Sequence, residues 1–266
     1  GAKWSTLYTE IPKAEATGHF ELRTEAMALR ITHDDDGQVR SVVYADADGT
    51  LHEQNARAVC VAGNVVETTR LLFNSASNLF PDGLGNGSGH LGRNYMRHVM
   101  GATLAAMPGL VNFQRGTRQS GLILDEQRHD DSRGFAGGYI IETLANQPSG
   151  IADFVGGWGR ETADFMDKYS HVAGCWVTGE DPPEADNRIT LHDTERDAFG
   201  LPVPVLHYRD HPNSVAMKEH ALHQCERIYE SLGAETIVSR GDAGHGCHNM
   251  GVARMSERPE DGVTNK

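Results

Sequence analysis

Long apolar runs are missing from this sequence: no stretch approaches the roughly 20 residues that a membrane-spanning helix needs. No transmembrane segment is therefore expected within the chain. Cysteine is scarce, with four in 266 residues. Cys60, Cys175, Cys225 and Cys247 are too far apart for a metal-ligand spacing and too few for a disulfide scaffold. Free thiols are the expectation, and they do not fix a compartment. Basic charge is also short, at 24 Lys and Arg against 37 Asp and Glu, and no run of Lys or Arg concentrates it. A net charge of −13 repels nucleic acid and anionic membrane, so neither is expected as the main partner. Internal repeats and low-complexity segments are absent. An initiating methionine is absent too: the chain opens Gly1-Ala2-Lys3 and stops at Lys266 in mid-pattern, and both ends read as cut.

What is present is an ordinary globular composition, 38% apolar and 23% charged, long enough for one large domain or two smaller ones. Residues 19–62 read as consecutive strands in a β-meander. Asp34-Asp35-Asp36-Gly37 and Asp46-Ala47-Asp48-Gly49 supply its turns, and Val39 to Ala45 lies between them. Ala58-Val59-Cys60-Val61-Ala62 is a continuous apolar run, as expected of a strand buried on both faces. Gly63-Asn64 follows, then a helical pattern through Phe73, which together make a generic βα unit. Residues 77–92 read as a loop rich in Asn, Gly and Ser. From 99 to about 210 short strands alternate with glycine-rich connections, which predicts a mainly β second domain. Asn213 to Leu232 is the clearest helix, ended by Gly233.

The densest chemistry lies in Gly244-His245-Gly246-Cys247-His248-Asn249-Met250-Gly251-Val252-Ala253-Arg254-Met255. Glycines pack nothing and usually serve a special backbone shape or a close approach. Three readings stand side by side. The histidines belong to a solvated surface loop, or His245, Cys247 and His248 hold a metal, or one histidine is held against a planar cofactor. The metal reading suffers because neighbouring residues on extended backbone point to opposite faces.

The run His248-Asn249-Met250-Gly251-Val252-Ala253-Arg254-Met255-Ser256, with Pro259 and Gly262-Val263 after it, resembles a stretch of the glucose–methanol–choline (GMC) oxidoreductases. It departs from that family in Val252, where Thr is usual. Other segments agree, in the family's order: Leu22-Arg23-Thr24-Glu25-Ala26, Ala62-Gly63 with Thr68, Gly92-Arg93-Asn94 with Met96 and His98, and Glu180-Asp181 with Pro183, Asn187-Arg188 and Gly200-Leu201-Pro202. The opening, from Ala2 to Gly18, is similar to sugar and gluconate dehydrogenases of the bacterial branch. Residues of about 105–170 carry no such match.

The resemblance implies an FAD-dependent oxidoreductase acting on CH–OH groups of sugars, sugar acids or polyols, with an external electron acceptor. It implies a mixed α/β fold: part of a Rossmann-like FAD-binding domain, residues 1–98 and 211–266, interrupted by a mainly antiparallel β-sheet substrate domain, residues 99–210. His248 becomes the catalytic base, Asn249 a pocket residue, and Ala28, Ala62, Gly63 and Thr68 the cofactor-binding positions. No metal is implied. The family's glycine-rich phosphate turn and its downstream Asn-Pro-Thr-type segment are not in the sequence, so an internal piece of a longer flavoenzyme is expected. Its compartment, bacterial cytoplasm or periplasm, stays open. The rival expectation is a non-catalytic carbohydrate-binding or interaction module, or an inactive relic, of the same fold. His98, His171, His220 and His223 are expected to be structural or solvated, and Arg254 to pair with a carboxylate. Trp158, among Gly156, Gly157 and Gly159, is divided between a sugar pocket and the core.

Overall fold

A computed structural model describes residues 4–117, 119–242, 246 and 248–265. The fold is mixed α/β with antiparallel sheets. Its strands are β1 (Met27–His33), β2 (Val39–Ala45), β3 (Leu51–Asn55), β4 (Val99–Ala106), β5 (Leu122–Ile123), β6 (Tyr139–Thr143), β7 (Val172–Gly179), β8 (Arg188–Arg196), β9 (Pro202–His207) and β10 (Thr236–Arg240). Its helices are α1 (Glu10–Glu15), α2 (Asn64–Asn74), α3 (Pro148–Val155), α4 (Arg160–Met166) and α5 (Pro212–Ser231). Two compact units result, one of residues 1–62, 70–87 and 191–203, the other of 63–69, 88–190 and 204–266.

The first unit holds the expected meander, ordered β1-β2-β3. One device closes its hairpins. The Asp34 carboxylate accepts the N–H groups of Asp36 and Gln38 at 3.0 and 2.8 Å, and Gly37 takes φ +80°. Asp46 does the same for Asp48 and Thr50 ahead of Gly49, and Asp197 for Phe199 and Leu201 ahead of Gly200 in the β8–β9 hairpin. An Asp that satisfies two turn N–H groups, followed three residues on by a left-handed Gly, makes each turn self-sufficient. Arg70, buried in this unit, donates to the Asp197 carboxylate at 2.6 Å and to the Pro202 carbonyl at 2.8 Å.

Residues 19–24 and 58–62 depart from expectation. Neither forms a strand, and 58–62 is largely exposed. Apolar side chains make a strand possible, but a strand exists only through a ladder, and among the described residues no neighbour pairs with 58–62.

The second unit is built on a five-stranded antiparallel sheet, ordered β10-β4-β7-β6-β5. Alternation gives it two faces. Val99 and Ala105 of β4, Cys175 and Val177 of β7, and Tyr139 and Ile141 of β6 face α5. That helix answers with Met217, Ala221, Cys225 and Tyr229, spaced four apart along one stripe. His211 caps its start by accepting the Asn213 N–H, and Gly233, at φ +76°, ends it. On the opposite face Leu104, Ala106 and Val172 are covered by Ile151 of α3 and Phe165 of α4. Further along that face come Ala102, which is buried, and its cross-strand partner Trp176, which packs against the same cluster.

Candidate active site

The histidine-bearing segment is fixed by pairing with the chain just upstream of β4. Met250 and Met96 exchange N–H···O bonds at 2.9 and 3.1 Å, and Val252 exchanges bonds with Gly92 and Arg93 at 2.8 and 3.0 Å. Two glycines permit this approach. A Cβ at Gly246 would lie 2.9 Å from the backbone of His98, and one at Gly251, where φ is +86°, would lie 1.9 Å from the Asn94 carbonyl oxygen. The segment then turns sharply: the Ala253 N–H reaches back to the Gly251 carbonyl at 2.7 Å around Val252, whose φ is +59°. A three-residue turn with positive φ at a β-branched residue is strained. Its side chain is held by burial to 1% exposure, packed with Tyr95 and Ile189.

The pairing sets the side chains. His248, two residues before Met250, stands opposite His98, two residues after Met96, and the rings meet edge to face with centroids 5.1 Å apart. His248 is exposed and His98 half-buried. Asn249 points the other way, where its side-chain oxygen accepts from the Tyr95 hydroxyl at 2.5 Å. Burial raises the Tyr95 phenol above its ordinary range, so it stays a donor at neutral pH.

Behind the histidines lies a polar network. The buried Asp181 carboxylate accepts from the Arg97 N–H at 3.2 Å, the Tyr208 hydroxyl at 3.0 Å and the Ser214 hydroxyl at 2.8 Å. The Arg97 guanidinium lies over the Tyr208 ring at 4.2 Å and reaches Asp210 at 3.2 Å, which Lys218 also contacts at 2.8 Å. Arg97, His98, Asp210 and Lys218 border a cavity of about 250 Å³. Burial, the largest single influence on Asp210, pushes its carboxyl up. Hydrogen bonds and charge from Lys218, with help from Arg97 and Tyr208, outweigh it and hold the carboxyl below its ordinary 3.8. A depressed folded-state pKa gives stability that is present above the unfolded value and lost as pH falls through the folded one. Asp210→Asn in the full-length protein is therefore expected to lower the melting temperature at pH 7. The penalty should shrink as the pH falls below 3.8, as thermal scans at pH 7 and at successively lower pH values will show.

Residues 183–266 match the sequence profile of the GMC oxidoreductases. The whole chain aligns at 31% identity with 2-methyl-1,2-propanediol dehydrogenase of Mycolicibacterium austroafricanum, covering 50% of that protein. It aligns at 30% identity with paromamine 6'-oxidase of Streptomyces fradiae, over 99% of the chain and 48% of the relative. The chain belongs to the GMC oxidoreductase family. It spans about half the length of the curated relatives it matches. A crystal structure of formate oxidase shares the fold, with a TM-score of 0.65 at 15% identity over 91% of the chain and 52% of its own length.

In this GMC-family chain the other expected site residues fall as follows. Ala28 lies on β1 and Ala62 in irregular chain, both exposed. Gly63 stands exposed just before α2, and Thr68 lies half-buried on it. The Asn64 side chain accepts the Val66 and Glu67 N–H groups and so caps that helix. His245 and Cys247 lie outside the described residues. His220 is structural: its Nδ1 meets the Tyr139 hydroxyl at 2.9 Å, and its ring packs edge-on to Phe135. His171 meets the Met107 carbonyl at 3.2 Å, and His223 is exposed. Arg254 is exposed and forms no ion pair among the described residues, contrary to expectation. Trp158 is fully exposed, so it does not serve the core.

His98 as the partner of His248 was not foreseen. No signal in the sequence announces it, because residues 98 and 248 stand opposite each other only through the pairing at Met96 and Met250.

Proposed function

We propose that the full-length protein is an FAD-dependent dehydrogenase that oxidises a CH–OH group of a sugar, sugar acid or polyol, with His248 as the general base. The observation that carries this reading is the exposed His248 imidazole, fixed at the end of a sheet by glycine-permitted pairing within a chain of the GMC family. Relatives named for a diol and for paromamine support a hydroxyl-bearing small molecule as substrate, and an external acceptor takes the electrons.

Bound FAD supplies the hydride acceptor. Ala28, Ala62 and Gly63 fit a role in holding it, because they are exposed and carry at most a methyl group, which leaves their backbone open to a flat ring or a pyrophosphate. Residues 1–98 and 211–266 belong with the cofactor in this reading, and 99–210 with the substrate. His248 accepts the proton of the substrate hydroxyl, a task suited to a side chain whose ordinary pKa lies near neutrality. His98 packs against its ring and limits its rotation. Asn249, turned away to Tyr95, anchors the segment and shapes the pocket only indirectly.

The test is anaerobic. Full-length protein should release FAD on denaturation, and its visible flavin absorbance should bleach with at least one member of a panel of sugars, sugar acids, polyols and 1,2-diols. Protein that carries no flavin, or flavin that no member of the panel reduces, overturns the reading.

A further inference from the structure

A cavity of about 870 Å³ in the second unit has no part in the chemistry above. It lies at the far end of β4 from His98. Ala106, where β4 ends, lines it, whereas Val99, where β4 begins, lines the cavity that His98 also borders. Seven steps of strand separate those two residues, about 24 Å.

Trp158 stands at the mouth of this cavity and is 100% exposed, although an indole is among the side chains that gain most from burial. Left-handed glycines carry the chain out and back around it, Gly157 at φ +77° before it and Gly159 at φ +106° after it. The loop is nonetheless braced. The Arg240 guanidinium donates to the Phe154 carbonyl at 3.0 Å, the Thr162 hydroxyl to the Gly156 carbonyl at 3.0 Å, and the Ala163 N–H to the Gly159 carbonyl at 3.1 Å. Beside the ring the lining is of two kinds. Phe165 and Val238 belong to the apolar layer under α3 and α4, while Arg160, Glu161, Asp164 and Lys168 are exposed and charged. Lys168 also reaches Glu235, but no hydrogen bond or ion pair engages Arg160, Glu161 or Asp164 among the described residues.

Two cations balance two anions in this lining, which suits an uncharged ligand better than an ionic one. The cations only donate hydrogen bonds and the carboxylates only accept them, whereas a hydroxyl does both. A sugar ring offers hydroxyls around its edge and a face of C–H groups that can lie flat on an indole. We propose that this cavity is a second, non-catalytic site for neutral sugar, with one ring stacked on Trp158 and its hydroxyls bonded to the charged lining. One ring cannot occupy this site and touch His248 as well, so what is held here is an oligosaccharide or polysaccharide and not the group that reacts. The inference does not depend on the oxidoreductase reading.

The test is calorimetric titration of the full-length protein with maltotriose, cellotriose and xylotriose. At least one is expected to bind the wild type, Trp158→Ala should weaken that binding about 10-fold or more, and Trp158→Tyr should restore most of it. Neither variant should move the melting temperature, because the side chain is fully exposed, nor slow flavin reduction by a small substrate. Glu161→Gln combined with Asp164→Asn should weaken binding by less than the loss of the ring. Wild-type protein that binds none of the three, or binding that Trp158→Ala leaves unchanged, overturns the proposal. A dimer that Trp158→Ala converts to monomer in sedimentation, without any trisaccharide binding, assigns the surface to a second copy of the chain and overturns it too. Trisaccharide binding that depends on Trp158 upholds the proposal even where no substrate reduces the flavin, and the oxidoreductase reading then falls alone.

Discussion

Replacing His248 with alanine in the full-length protein is expected to slow flavin reduction by substrate about 10²- to 10⁴-fold, the usual contribution of a positioned general base. Reoxidation of the reduced flavin by a dye should stay within about twofold of wild type, since no proton need leave a substrate hydroxyl in that half-reaction. The comparison matters more than either rate. A residue that merely holds the fold would depress both halves together through loss of cofactor, and equal losses would remove His248 from the chemistry. His248→Gln is the companion variant, because a side chain of similar reach keeps contact with His98 but does not take up a proton at neutral pH. It is expected to resemble the alanine variant in rate while retaining more of the wild-type flavin content.

The other large effect is structural. A methyl group at Gly251 would lie 1.9 Å from the Asn94 carbonyl oxygen, a backbone atom that cannot swing aside as a side-chain tip would. The position also has φ +86°, where an L-residue is disfavoured. Gly251→Ala should cost about 2–5 kcal/mol from the two together, read as a lower denaturation midpoint or as loss of soluble protein. The damage should centre on the paired segments 92–98 and 248–252, so amide exchange at Met96 and Met250 should accelerate first. Gly89→Ala is the control, since φ is +73° there but a Cβ would meet nothing within 4 Å. If Gly251→Ala proves no worse than the control, close approach is not what this glycine provides.

How much of this was legible in the sequence depends on whether the determinants were local. The meander was, because each of its turns carries its own Asp and Gly and needs no help from elsewhere. The long helix was too, to within a residue at each end, but its buried side was not: Val215 and Leu232 are exposed, while Met217 is fully buried. Helical periodicity fixes the angle between residues, but the sheet beneath decides which side is in. The apolar run at 58–62 failed for a related reason, since it states what a strand would be made of and not what it would pair with. At the site, glycine spacing marked the segment around His248, whereas His98 owes its place opposite it to cross-strand register, which joins residues far apart in sequence.

The layer between the sheet and α5 contains two thiols, Cys175 on β7 and Cys225 on the helix, both buried, while Cys60 is exposed. The neighbouring Cys175 sulfur and then burial push the Cys225 thiol far above its ordinary range, so almost no thiolate forms there in the folded state. The molecule thus carries its own clock. An alkylating reagent will mark Cys60 on contact, but Cys225 only in those moments when helix and sheet part, and its labelling rate counts how often they do.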